Sequence, residues 1–108
     1  MFSLQEEEVL VRILFLPTQV KLYQEVVDLR KGQQGLLGLV PEDTSDVLYL
    51  FSNRSRDLIK GLFWDRTGYV VISKRLERGK FSIPVSGGVV ELDGKQLRLL
   101  LDGLKIFL

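Results

Sequence analysis

The middle third of this chain carries basic side chains dense enough to bind an anionic partner. Residues 50–80 contain eight Lys and Arg against three Asp and Glu, whereas residues 1–49 contain four basic and eight acidic side chains. Such a patch attracts phosphates or acidic surfaces, and affinity for phosphates grows with the number neutralised. With two earlier cations, the candidate contact residues are Arg30, Lys31, Arg54, Arg56, Lys60, Lys74, Arg75, Arg78 and Lys80.

A second interpretation of the same charges is structural. Lys and Arg keep a β surface soluble and protect its edge from pairing with other chains. Arg30 and Lys31 fall in the first turn of a predicted helix, where they could pair with Asp28 or Glu25. They could equally contact an anion, helped by free N–H groups at the helix start. The sequence leaves both alternatives open.

Aromatic side chains near these cations could stack on nucleic-acid bases. Trp64 and Phe81 occupy alternating positions within predicted strands, which favours the hydrophobic core for both. Tyr69 remains open between the core and a contact role.

The residue types predict neither an enzyme nor a metal or cofactor site. The chain has no His and no Cys, so the commonest general base and the usual transition-metal ligands are absent. A Mg²⁺-dependent nuclease would need carboxylates grouped on an α/β scaffold, which the predicted antiparallel strands do not supply. Each of the four carboxylates that could be considered has a simpler explanation. Asp28 caps a helix, Asp57 and Asp65 lie in turns, and Glu77 pairs with Arg75 or Arg78.

The length and composition indicate one globular domain over residues 1–108. Apolar residues make up 45% and charged residues 27%, a balance typical of folded proteins. No apolar stretch approaches the roughly 20 residues of a membrane span, and the first residues lack the basic start of a signal peptide. We therefore expect a cytoplasmic protein with no membrane contact and no small-molecule substrate.

The first part of the chain predicts two strands and a helix. Residues 1–19 are a lead-in that includes an extra strand over residues 9–16, and a short strand follows over 20–23. Asp28 is placed to cap a helix over 29–40. Three glycines in that helix each cost on the order of 1 kcal/mol, so it needs packing against a sheet.

The remaining elements predict an α+β fold, a mainly antiparallel sheet with two helices packed on it. A β-meander spans about residues 47–83, with strands at 47–52, 57–64, 69–76 and 81–83, and a last strand follows at 89–92. Asp93 and Gln96 have capping-box spacing at the start of a final helix. The apolar stripe of that helix consists of Leu97, Leu100, Leu101 and Leu104.

Several short motifs resemble one protein family. They are DLRKG at 28–32, LYLF at 48–51 followed by Asn53 and Arg54, KRLERGKF at 74–81, and DGKQL at 93–97. The chain resembles, over about residues 20–104, the second-open-reading-frame (TnpB-type) accessory proteins of bacterial insertion sequences of the type numbered sixty-six. The positions that depart from the family pattern are Gln33, Gln34, Gly61 and Ser73.

The resemblance implies a non-catalytic role in transposition, a form of DNA recombination, beside a separate transposase with an acidic catalytic triad. The expected partners are element DNA, the cognate transposase, or both, contacted through the basic residues. The alternative is a protein–protein adaptor that binds no nucleic acid and uses an exposed sheet edge or the tail at 105–108.

Overall fold

A computed structural model describes residues 19–41, 46–84 and 87–106 of this chain. The strand predicted at residues 9–16 lies outside these described residues. The strands are β1 (Gln19–Val26), β2 (Val47–Ser52), β3 (Leu58–Trp64), β4 (Tyr69–Arg75) and β5 (Val89–Leu92). A 3-10 turn (Leu29–Lys31) leads into helix α1 (Gly32–Leu37), and helix α2 (Gly94–Leu101) follows β5.

The five strands form one mixed sheet in the order β4-β3-β2-β1-β5. β2, β3 and β4 pair antiparallel, which confirms that part of the predicted meander. β5 is also antiparallel to its neighbour β1, but β1 runs parallel to β2, so the sheet is not purely antiparallel as the strand pattern suggested. A parallel pair needs a crossover, and the segment that contains α1 provides it.

The first helix is much shorter than the predicted 29–40. The chain makes a 3-10 turn and then passes through Gly32 at φ 67°, which is the first of the six residues of α1. A positive φ favours glycine and does not continue a helix, so the two pieces remain separate. Where α1 has ended, the hydroxyl of Tyr23 donates to the carbonyl oxygen of Leu39 at 2.7 Å.

The strand predicted at 81–83 is absent, although Phe81 and Ile83 are buried as expected. Isolated hydrogen bonds rather than a ladder hold this segment. Arg56 Nη1 donates to the carbonyl of Ile83 and Gln24 Nε2 to that of Pro84, both at 2.9 Å, and the backbone N–H of Phe81 donates to the carbonyl of Arg56. The periodicity therefore identified the buried residues correctly but not their backbone pairing.

The sheet has an apolar cluster on each face. The α2 face is built around Leu22, Leu48, Leu50, Ile59, Phe63, Phe81, Ile83, Leu92, Leu97, Leu100 and Ile106. The α1 face is built around Leu29, Leu36, Val47, Tyr49, Phe51 and Leu62. β2 is buried along its whole length because it lies in the middle of the sheet and is covered on both sides.

The capping box of α2 is confirmed. Asp93 Oδ1 accepts from the backbone N–H of Gln96 at 2.7 Å, and Gln96 Oε1 accepts from the N–H of Asp93 at 2.9 Å. Leu97 and Leu100 are buried as predicted. Leu104 is not part of the apolar stripe, because α2 ends at Leu101 and the Leu104 side chain is 52% exposed.

The four departures from the family pattern have simple structural settings. Gln33, Gln34 and Ser73 are exposed, so their polarity costs no core packing. Gly61 is buried in β3, where a Cβ would lie 2.9 Å from Cγ1 of Ile72 and 3.1 Å from methyl groups of Leu48 and Leu50. Neighbouring side chains thus fill the space that a larger residue would occupy.

Candidate anion-binding groove

A groove of about 680 Å³ lies where the parallel strands β1 and β2 both end. Four of the nine candidate cations line it, together with polar and apolar residues from the end of β1, the 3-10 turn and the two residues before it, the β2–β3 turn, and β3. The lining residues are Val26, Val27, Asp28, Leu29, Arg30, Asn53, Arg54, Ser55, Leu58, Lys60 and Arg75. Among the described residues the charged members are four cations and one carboxylate, so this part of the lining carries a net positive charge.

Arg30 is held at the groove rim by Asp28. Its Nε and Nη2 donate to the two carboxylate oxygens of Asp28 at 2.9 Å each, while the Arg30 side chain remains 91% exposed. These hydrogen bonds raise the pKa of Arg30 above its ordinary value. The backbone N–H of Arg30 also donates to Asp28 Oδ1 at 3.0 Å. One of the N–H groups expected to be free for an anion at the helix start is therefore already hydrogen-bonded. The side chain of Lys31 lies outside the described part of the chain.

Arg75 enters the groove from β4 through a network centred on Asp57. Its Nη1 donates to Asp57 Oδ2 at 2.7 Å, so Arg75 pairs with Asp57 rather than with the expected Glu77. Asn53 Nδ2 donates to Asp57 Oδ1 at 2.7 Å, and Asn53 Oδ1 accepts from the N–H groups of Asp57 and Leu58. The Asn53 amide, with a further contribution from Arg75, holds the pKa of Asp57 below its usual value.

Lys60 links the sheet to the 3-10 turn. Its Nζ donates to the carbonyl oxygen of Leu29 at 2.9 Å. Lys60 lies opposite Ser73 and Arg75 lies opposite Leu58, so Lys60 and Arg75 occupy diagonal positions on the α1 face, whose backbone spacing in antiparallel pairs is about 7–8 Å. Arg54 completes the set at the β2–β3 turn, where its side chain is exposed.

The other predicted cations lie elsewhere. Arg56 is committed to the carbonyl of Ile83, as described above. Lys74 is exposed on β4 opposite Ile59, which places it on the α2 face. Arg78 and Lys80 are exposed in the segment after β4 that brings Phe81 onto that face. The predicted basic set is therefore divided between the two faces of the sheet.

The three aromatic residues considered for base stacking, Trp64, Tyr69 and Phe81, do not line the groove. Phe81 is buried, which confirms its core assignment. Trp64 is only half-buried and packs against Tyr69 with ring centroids 4.8 Å apart, where the β3–β4 hairpin begins its turn. Asn53 was noted in a sequence motif, and the turn tendency of asparagine favours a turn there, but neither Asn53 nor the apolar residues that line the groove were predicted as site residues.

Two further observations concern the classes of site that the sequence analysis considered. Within residues 19–41, 46–84 and 87–106, no three or more acidic side chains group closely enough to hold a metal ion. In the same part of the chain, no helix has the length and apolar composition needed to cross a membrane.

Comparison with known proteins identifies relatives over most of the chain. A family described as IS66 Orf2-like protein matches residues 18–107. Two relatives from Sinorhizobium fredii (strain NBRC 101917 / NGR234) are the uncharacterized proteins y4jC and y4hO. The first is 28% identical over 80% of this chain and 79% of its own length. The second is 38% identical over 66% of this chain and 61% of its own length. No solved structure matches.

Proposed function

Because this chain belongs to the family of IS66 Orf2-like proteins, we propose that it is a non-catalytic accessory protein in the transposition of its insertion sequence. It contacts element DNA, the transposase, or both through its exposed cations. The observation that supports this contact is the excess of basic over acidic side chains in residues 50–80, of which several reach solvent. The catalytic step belongs to the separate transposase.

The cations to test are the exposed ones that make no side-chain hydrogen bond or ion pair with the described residues. Arg56 stabilises the fold, so replacing it would confuse loss of contact with loss of structure. The informative variant combines alanine at Arg54, Lys74, Arg78 and Lys80, all of which are exposed. Its control is Lys95→Ala with Arg98→Ala, which removes two exposed cations from α2.

We expect the fourfold variant to keep the far-ultraviolet circular dichroism of the wild type and to reduce transposition of a marked element at least about tenfold. The α2 control keeps wild-type transposition because its cations lie outside the basic region. Wild-type transposition in the fourfold variant would reject a contact through these residues.

The direct partner is identified by salt dependence and by nuclease treatment. If element-end DNA is bound directly, its affinity falls steeply with salt, and the fourfold variant shows a shallower slope by roughly one unit per cation that contacts a phosphate. If the protein is an adaptor, it recovers the transposase from extracts after nuclease digestion and binds element-end DNA no better than the fourfold variant.

A further inference from the structure

The floor of the groove is apolar. Leu29 is buried there. Val26, Val27 and Leu58 are half-buried, so part of the surface of these three side chains remains exposed to the groove. Exposed apolar surface surrounded by polar residues marks a site for an apolar group of a partner. A DNA duplex presents its phosphates on a broad convex surface, which reaches the rim of a groove but does not fill such a floor.

The rim carries positive charge whose geometry suits carboxylates. Two arginines of the groove already bind carboxylates of this chain, Arg30 through Asp28 and Arg75 through Asp57. These pairs fix the guanidinium groups in place, which lowers the entropy lost when another acceptor binds. Within the described residues no hydrogen bond or ion pair engages the side chain of Arg54, so its donors remain available.

The groove lacks the features that single-stranded nucleic acids use. Such strands gain much of their affinity by stacking bases on aromatic side chains, and none of the described residues that line the groove is aromatic. Its volume of about 680 Å³ falls in the range of pockets that enclose a small ligand or a few side chains.

We propose that this groove binds a short acidic segment of a protein partner, with an apolar side chain on the floor formed by Val26, Val27, Leu29 and Leu58 and with carboxylates at Arg30, Arg54 and Lys60. The proposal rests on the proposed accessory function only for the identity of the partner, since peptide binding is measured on the isolated protein.

Backbone amide shifts of the full-length protein in a nuclear magnetic resonance titration test the groove directly. The probe is a short synthetic peptide in which glutamates flank one leucine, and the comparison ligand is an oligothymidylate of equal net charge. We expect the peptide to give saturable shifts at residues 26–30 and 53–58. Absence of peptide shifts there, or equal shifts with the oligothymidylate, would overturn the proposal.

Two variants separate groove binding from general attraction to a basic protein. Arg54→Glu reverses a charge at the rim and is expected to weaken peptide binding at least about tenfold. Arg78→Glu makes the same change outside the groove and is expected to leave the affinity unchanged. Equal losses in both variants would show that net charge, not the groove, attracts the peptide.

The apolar floor has its own test in a double-mutant cycle. Leu58→Ala should weaken the leucine peptide several-fold but have little effect on the same peptide with alanine in place of leucine. Equal effects on both peptides would contradict insertion of an apolar side chain at this floor.

This chain carries similar chemistry in Glu6, Glu7 and Glu8, which lie outside the described residues. Replacing all three with Gln and recording the spectrum without peptide tests whether they occupy the groove. Unchanged amide shifts at the groove residues support an external partner. Changed amide shifts there, together with tighter peptide binding, would show that these glutamates occupy the groove and would overturn the proposal of an external partner.

The readouts also separate this proposal from the proposed function. If the Arg54→Glu variant no longer binds the peptide but still supports transposition, the groove is a peptide-binding site that transposition does not use. Loss of transposition in the fourfold alanine variant, with no peptide shift in the wild type, would support the accessory role and reject the groove.

Discussion

The guanidinium of Arg56 donates a hydrogen bond of 2.9 Å to the carbonyl oxygen of Ile83, twenty-seven residues further along the chain. The N–H of Phe81 donates in turn to the carbonyl oxygen of Arg56 at 2.6 Å. These two bonds attach the segment after β4 to the β2–β3 turn. A side chain that the sequence suggested for partner contact is therefore used to hold the α2 face together.

Replacing Arg56 should cost stability. Arg56→Ala removes a hydrogen bond from a charged donor and leaves the Ile83 carbonyl without it, so we expect a loss of about 1.5–3 kcal/mol in the free energy of unfolding. Arg54→Ala, two residues earlier and exposed, should change it by less than about 0.5 kcal/mol. Urea denaturation measures both values, and similar losses in the two variants would contradict a structural role for Arg56.

The space beside Gly61 is filled by its neighbours. Gly61→Val should lower the free energy of unfolding by about 1–3 kcal/mol, because the new methyl groups would overlap Ile72, Leu48 and Leu50. Ile72→Ala removes the nearest contact, so the double variant should be more stable than the sum of the single effects predicts, by at least about 0.5 kcal/mol. Strict additivity in the double-mutant cycle would show that the overlap is relieved elsewhere.

The lowered pKa of Asp57 predicts that the stability of the protein depends on pH. Its pKa is lower in the folded protein than the roughly 3.9 of an unfolded chain, so its stabilising effect is complete above about pH 4. The effect is lost as the pH falls through the folded-state pKa. We therefore expect Asp57→Asn to lower the urea midpoint at pH 7 and to lower it by a decreasing amount as the pH falls below about 4. A constant difference across this range would contradict the linkage.

The same network predicts which neighbours hold that pKa low. The hydrogen bond from the Asn53 amide is the largest single cause, and Arg75 acts in the same direction through both its charge and its hydrogen bond. Asn53→Ala and Arg75→Ala should therefore each raise the Asp57 pKa, as measured by carboxyl chemical shifts during a pH titration. An unchanged pKa in either variant would remove that residue from the network.

The capping box predicts how the acidic residues at the two ends of α2 affect stability. Asp93→Ala should destabilise the protein by about 0.5–2 kcal/mol, because the N–H of Gln96 loses its acceptor. Asp102 lies at the other end of α2, where a negative charge is unfavourable, so Asp102→Ala should be neutral or slightly stabilising. Thermal unfolding of both variants checks that Asp93→Ala has the lower midpoint temperature.

Features that depend on local spacing were predictable from the chain. The alternation of apolar residues identified β2, β3 and β4, and the pair Asp93 and Gln96 identified the start of α2. Each of these signals acts over a few residues, because side-chain alternation and capping are properties of a single element. The short motifs likewise led to the family that matches residues 18–107.

The contacts between distant segments were decided by the tertiary structure. No local pattern states that β1 runs parallel to β2, and it is this pairing that brings the end of β1 beside the β2–β3 turn and so forms the groove. Seven of the nine candidate cations lie within residues 54–80 of the sequence, but pairing across the sheet divides them, with Lys60 and Arg75 on the α1 face and Lys74 on the other. The physical reason is that strand register and hydrogen-bond partners far along the chain, not spacing along it, fix the side of a sheet on which each charge lies.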